Sequence, residues 1–144
     1  MLQLGRLIHL LILILCSQIK LDSADVIVLR FGENVRDVDN YEKNLAEFVQ
    51  NIQLKSKAPI AITGCFWNNP YKDACARSVA ARFNLPYISL YHLDIDSNKA
   101  LAGGVATDTL GNEYHFEPGF IGAHPNDAGM KAIADAILPL FINN

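Results

Sequence analysis

The sequence predicts an α/β domain built on a parallel sheet, and three observations carry that reading. Short apolar runs rich in β-branched residues recur at 25–31, 59–66 and 87–91. The stretches between them place apolar residues at helical spacing, and each is long enough for a crossover. A strand, helix, strand, helix, strand order of this kind implies parallel strands covered by helices.

The elements follow in order. Asp25-Val26-Ile27-Val28-Leu29-Arg30-Phe31 reads as a buried strand, and Gly32 permits a sharp exit from it. Asp39 and Glu42 form a capping-box pair for a helix in which Tyr41, Leu45, Phe48, Val49 and Ile52 face inward. The second strand is 59–66. Asn69 and Pro70 then mark the N-cap and first position of a helix reaching about Phe83. The third strand is 87–91. From 94 to 122 the pattern loosens around Gly103, Gly104, Gly111 and Gly119; a loop of this length in a compact domain is usually functional or mobile. It is expected to border a pocket.

Beyond the loop, Gly122-Ala123-His124-Pro125-Asn126-Asp127-Ala128-Gly129-Met130 sets an imidazole on a proline-stiffened turn directly before an amphipathic helix. Pro125 disfavours helical backbone at His124, so that residue stands clear of the helix. Asn126 or Asp127 can cap the first turn. Met130, Ile133, Ala134, Ile137 and Phe141 recur at helical spacing and predict one buried face.

A chain of 144 residues with 51% hydrophobic content is one domain at most, with ample material for a core. Net charge is −3, and no basic run is interleaved with aromatics, so nucleic acid is not an expected partner. Residues 1–23 form an apolar leader and 24–144 the domain. Arg6 ahead of roughly ten apolar residues has the form of a secretory signal, too short to span a bilayer unaided. Before Asp25, however, there is no good small-x-small cleavage site, and Cys16 follows Leu15 rather than a small residue. Two readings stand: a secreted or periplasmic protein, or a cytoplasmic one whose leader is a start-site artefact. Cys16, Cys65 and Cys75 follow no metal-binding spacing. In an exported chain Cys65 and Cys75 could pair; otherwise they are buried free thiols. His9, His92, His115 and His124 are scattered, and no metal site is implied.

A lone histidine at a helix start is ordinarily a surface or capping residue. Asn34 changes its context, because it offers an amide donor at a strand's carboxyl end, where ligands bind in open α/β sheets. An amide donor and an imidazole on one rim are the parts needed to hold an oxyanion and shuttle a proton. Here the chain resembles the SGNH (GDSL-like) hydrolase superfamily of esterases and lipases. Gly32-Glu33-Asn34-Val35 looks like the family's third block, GxND, with Val35 in place of the common aspartate. His124-Pro125-Asn126 with Gly129 looks like its fifth block, DxxHPN followed by a nearby glycine, with Ile121 in place of the aspartate. The Gly-Asp-Ser nucleophile block and the glycine block that completes the oxyanion hole do not occur. Ser17 is separated from the next strand by too short a crossover to be equivalent, and Ser23 precedes its strand.

What the resemblance implies is a three-layer, flavodoxin-like sandwich with a parallel sheet, N-terminally incomplete. It implies ester hydrolysis by acyl transfer, with His124 as general base, Asn34 in the oxyanion hole, and no cofactor. The substrate would be a small-molecule or carbohydrate ester. The Ile121 carbonyl, Asp108, Glu113 or Glu117 could orient His124. Phe66, Trp67 and Asn68, with Gly32, would lie on the same rim and line a substrate site; for Trp67 the alternative is packing beneath the long loop. Without the nucleophile block, the chain could instead be an inactive binder of carbohydrate or acylated ligands. It could also be an interaction fragment that self-associates through an exposed sheet edge.

Overall fold

The computed structural model describes residues 21–117 and 124–142. The leader, apart from a 3-10 turn at Leu21–Ser23, lies outside the described residues. Three parallel strands, β1 (Ile27–Leu29), β2 (Ile60–Thr63) and β3 (Tyr87–Ile88), form a sheet in the order β1-β2-β3. Ile27 pairs with Ile60 and Ile62 with Tyr87. The crossovers contain α1 (Tyr41–Lys55) and α2 (Pro70–Arg82). The molecule is therefore mixed α/β with a small parallel sheet. No helix among the described residues is long and apolar enough to cross a membrane.

Alternation along the strands divides the core in two. Ile27, Leu29, Ile60 and Ile62 pack with Tyr41, Leu45, Val49 and Ile52 of α1 and Cys75, Ala76 and Val79 of α2. Ile88 points the other way and joins Phe66, Leu90 and Ile133. Val26 and Val28 are exposed, contrary to the expectation of a fully buried first strand. The reason is geometric: β1 is at the end of the strand order, and the second cluster covers Ile88 without reaching Val28.

Two further expectations fail locally. No capping box forms at α1, where Asn40 is the N-cap residue and makes no side-chain cap bond. Glu42 is drawn across to α2, where its carboxylate accepts from Ser78 Oγ (2.7 Å) and Arg82 (3.3 Å). The second strand stops at Thr63 rather than Phe66: the Gly64 N–H still donates to Ile88 O (2.8 Å), and the amides after it leave the ladder. The Cys65 N–H donates to Asp73 Oδ1 and the Phe66 N–H to Glu33 Oε1, both at 2.8 Å. At α2 the expected start is found: Asn69 accepts from the Lys72 amide, and Pro70 is the first helical residue.

The 94–122 stretch holds more structure than its pattern predicts. A 3-10 turn at Asp96–Asn98 is followed by an antiparallel hairpin of β4 (Val105–Thr107) and β5 (Glu113–His115). Its strands are short and largely exposed, so no apolar alternation marks them. Asp108 organises the turn. Its carboxylate accepts from the amides of Leu110 (2.8 Å) and Asn112 (2.9 Å), from the Asn112 side chain (2.9 Å) and from the Tyr114 hydroxyl (3.1 Å). These bonds, the Asn112 side chain's foremost, lower its pKa from 3.8 to about 2. Because the folded pKa lies below the ordinary one, this support is complete above about pH 4 and disappears as pH falls through about 2. In an acid titration followed by NMR, the Leu110 and Asn112 backbone amides, which donate to this carboxylate, should shift together near pH 2. A midpoint at the ordinary aspartate value would contradict this.

The last long helix, α3 (Asp127–Ile137), is followed by the short α4 (Pro139–Ile142). Its buried stripe is rotated from the predicted one. Gly129 and Ile133 are buried, Ala136 and Ile137 pack against the second cluster, and Met130 and Ala134 are exposed. The Phe141 side chain lies outside the described residues. Close approach at Gly129 sets the rotation: a Cβ there would overlap the Asn98 carbonyl.

Candidate functional site

The carboxyl end of the sheet is built from three loops, and each has its own anchor. After β1 the chain turns at 32–35, closed by a Val35 N–H to Gly32 O bond of 3.2 Å. Gly32 has φ +120°, a conformation L residues rarely adopt, and a Cβ on it would press within 3.0 Å of the Tyr41 hydroxyl. The two central residues of the turn part ways. Glu33 reaches inward to the Phe66 amide and to Arg30 (3.0 Å), while Asn34 is exposed. Gly32 itself is buried and contributes backbone shape rather than surface.

Beneath this turn sit two consecutive charged residues from the first turn of α2. Lys72, 7% exposed, donates its ammonium to the carbonyls of Gly32 and Val35 (2.8 Å). Asp73, 5% exposed, accepts the Cys65 amide. Burial, then the nearby Asp73 and Glu33 carboxylates, push the Cys65 thiol up to about 11. At neutral pH it is therefore held as the thiol, the weakly nucleophilic form. Burial and Asp73 likewise push Tyr87 up to about 12. Cys65 and Cys75 are both free and buried.

The third loop carries His124. Its carbonyl accepts from the Ala100 amide (2.8 Å), and Pro125 bridges to Lys99. Asn126 then binds on three sides. Its Oδ1 caps Gly129 N–H (2.9 Å), and its Nδ2 donates to the carbonyls of Ser97 (3.0 Å) and Lys99 (3.1 Å). Lys99 in turn is held between Asp94 (3.1 Å) and Asp96 (3.2 Å). The His124 ring is exposed and stands edge to face with Trp67, centroids 5.0 Å apart. Trp67 makes a second T-shaped contact with Phe66 at 6.1 Å.

These contacts arrange the predicted residues along one chain of neighbours. Asn34 follows Glu33, Glu33 binds the amide of Phe66, and Trp67 next to it meets His124. Trp67 is half-buried and Asn68 exposed, whereas Phe66 is fully buried and lines nothing. Asp108 is occupied by the hairpin turn, Glu113 and Glu117 are exposed, and Ile121 lies outside the described residues. Among the described residues no three His, Cys, Asp or Glu side chains gather as metal ligands. A cleft of about 580 Å3 lined by Asp39, Glu42, Lys43, Glu47, Arg82 and Phe83 shares no residue with this rim.

Sequence reading passed over Glu33, Lys72, Asp73 and the 97–99 carbonyls. One signal was present: Lys72 and Asp73 stand three or four residues before the buried Ala76, so helical spacing places both on the inward stripe of α2. No protein-family model, curated protein or solved structure matches the chain.

Proposed function

We propose that this chain carries the base and oxyanion part of an SGNH-type ester-hydrolase site, on the three-layer arrangement of that superfamily. The supporting observation is the contact of His124 with Trp67 at the carboxyl end of β2, next to the anchored turn that bears Asn34. In acyl transfer a serine Oγ attacks the ester carbonyl while His124 accepts the hydroxyl proton. The Asn34 amide donates to the tetrahedral oxyanion, which collapses with return of the proton to the leaving alkoxide. No Gly-Asp-Ser block supplies that serine within these 144 residues. His124 alone can still draw a proton from water as the water oxygen adds to an activated ester.

With 4-nitrophenyl acetate, His124→Ala is expected to lower 4-nitrophenolate release at least about tenfold. Equal rates in the two proteins would remove the hydrolase reading. The absent nucleophile favours a second reading, a binder of acylated or carbohydrate ligands. Trp67 is the single tryptophan, so its emission reports occupancy of this rim. A saturable emission change with an acetylated sugar, at unchanged hydrolysis, would select binding without turnover.

A further inference from the structure

We infer that Lys72 is a positioning residue for the oxyanion donor: its buried ammonium holds the 32–35 turn in the one shape that presents Asn34 outward at the rim. The inference rests on the hydrolase reading for its purpose and on geometry for its content. A buried ammonium is costly unless its protons are bonded, and an apolar side chain would fill the same space without that cost. Here two protons go to Gly32 O and Val35 O, the first and last carbonyls of the turn. Both carbonyls thereby converge on a single point, and the segment between them contains only Glu33 and Asn34.

The remaining contacts show why a cation belongs there. Glu33 is turned inward by the Phe66 amide and by Arg30, which leaves its neighbour Asn34 on the opposite, solvent side. Asp73 performs the matching task on the next loop by accepting the Cys65 amide. Adjacent residues of one helical turn thus anchor both rim loops, the cation through carbonyls and the anion through an N–H. Turning Asn34 inward would require the turn to open, which moves the Gly32 and Val35 carbonyls apart. Two ammonium bonds to those carbonyls oppose that opening.

The test compares wild type, Lys72→Met, Asn34→Ala and the double variant. Lys72→Met keeps the aliphatic stem and removes every donor. NMR of the Lys72→Met protein should show the backbone amides of 32–35 and the Asn34 side-chain amide displaced or broadened, with the Ala100 and Gly129 amides unmoved. In 4-nitrophenyl acetate hydrolysis Lys72→Met should lose about tenfold or more, as Asn34→Ala does, and the double variant should lose no more than Asn34→Ala alone. A purely structural role would give additive losses and would overturn the inference. Unmoved 32–35 amides would overturn it as well. If Lys72→Met does not fold, the wild-type ammonium decides: its protons should exchange slowly and couple to the Gly32 and Val35 carbonyls, and fast exchange without coupling refutes the assignment. Should His124→Ala leave hydrolysis unchanged, the hydrolase reading fails while the NMR outcomes still judge Lys72.

Discussion

Phe66→Ala is expected to destabilise the protein by about 3–5 kcal/mol, the usual cost of truncating a fully buried phenylalanine. Phe66 is 0% exposed and packs in the second cluster with Leu90 and Ile133, so it ties β2 to α3. Its backbone amide still binds Glu33 in the variant, and the side-chain loss falls on the seat of the last long helix. With that seat emptied, the contact between Trp67 and His124 loosens, and Trp67 emission should shift to the red before global unfolding. Urea denaturation followed by circular dichroism checks the first statement and tryptophan emission the second. A loss under about 1 kcal/mol would show that α3 is held by other contacts.

Asn126→Asp is the second large effect, and its direction separates two roles of one side chain. Considered as an N-cap alone, aspartate serves as well as asparagine. The structure gives Asn126 a further duty, donation of both amide protons to the Ser97 and Lys99 carbonyls. With one carboxylate oxygen kept on the Gly129 N–H, aspartate would set its other oxygen, in place of Nδ2, against both carbonyls. The expected loss is about 2–4 kcal/mol, from two forfeited bonds and two acceptors left facing an anion. Asn126→Ala loses the cap also, yet places no charge there, so Asn126→Asp should be no more stable than Asn126→Ala. Urea midpoints of both variants decide the matter, and an Asn126→Asp protein as stable as wild type would reduce Asn126 to a cap.

Much of the architecture is legible in the chain because it depends on local chemistry. Asn69-Pro70 starts a helix wherever it meets apolar residues at helical spacing, and Asn126 caps the last long helix as its neighbours require. The β-branched runs identify the strands, although their ends do not. Where β2 stops is decided by Asp73 and Glu33, which come from α2 and from the loop after β1. The rotation of α3 escapes periodicity for a similar reason. Met130 and Ala134 satisfy the helical pattern as well as Gly129 does, and only the Asn98 carbonyl, distant in sequence, requires the residue without a side chain to face inward.

The candidate site divides along the same line. Sequence alone determined the residue types, an imidazole before a capped helix and an amide after a strand and a glycine, because motif and turn chemistry act over a few neighbouring positions. Tertiary structure decided that His124 meets Trp67, that Glu33 joins the first two loops, and that Lys72 sits beneath the turn of Asn34. Those contacts span tens of residues along the chain, and a hydrogen bond or ring contact between distant segments exists only once packing has brought them together.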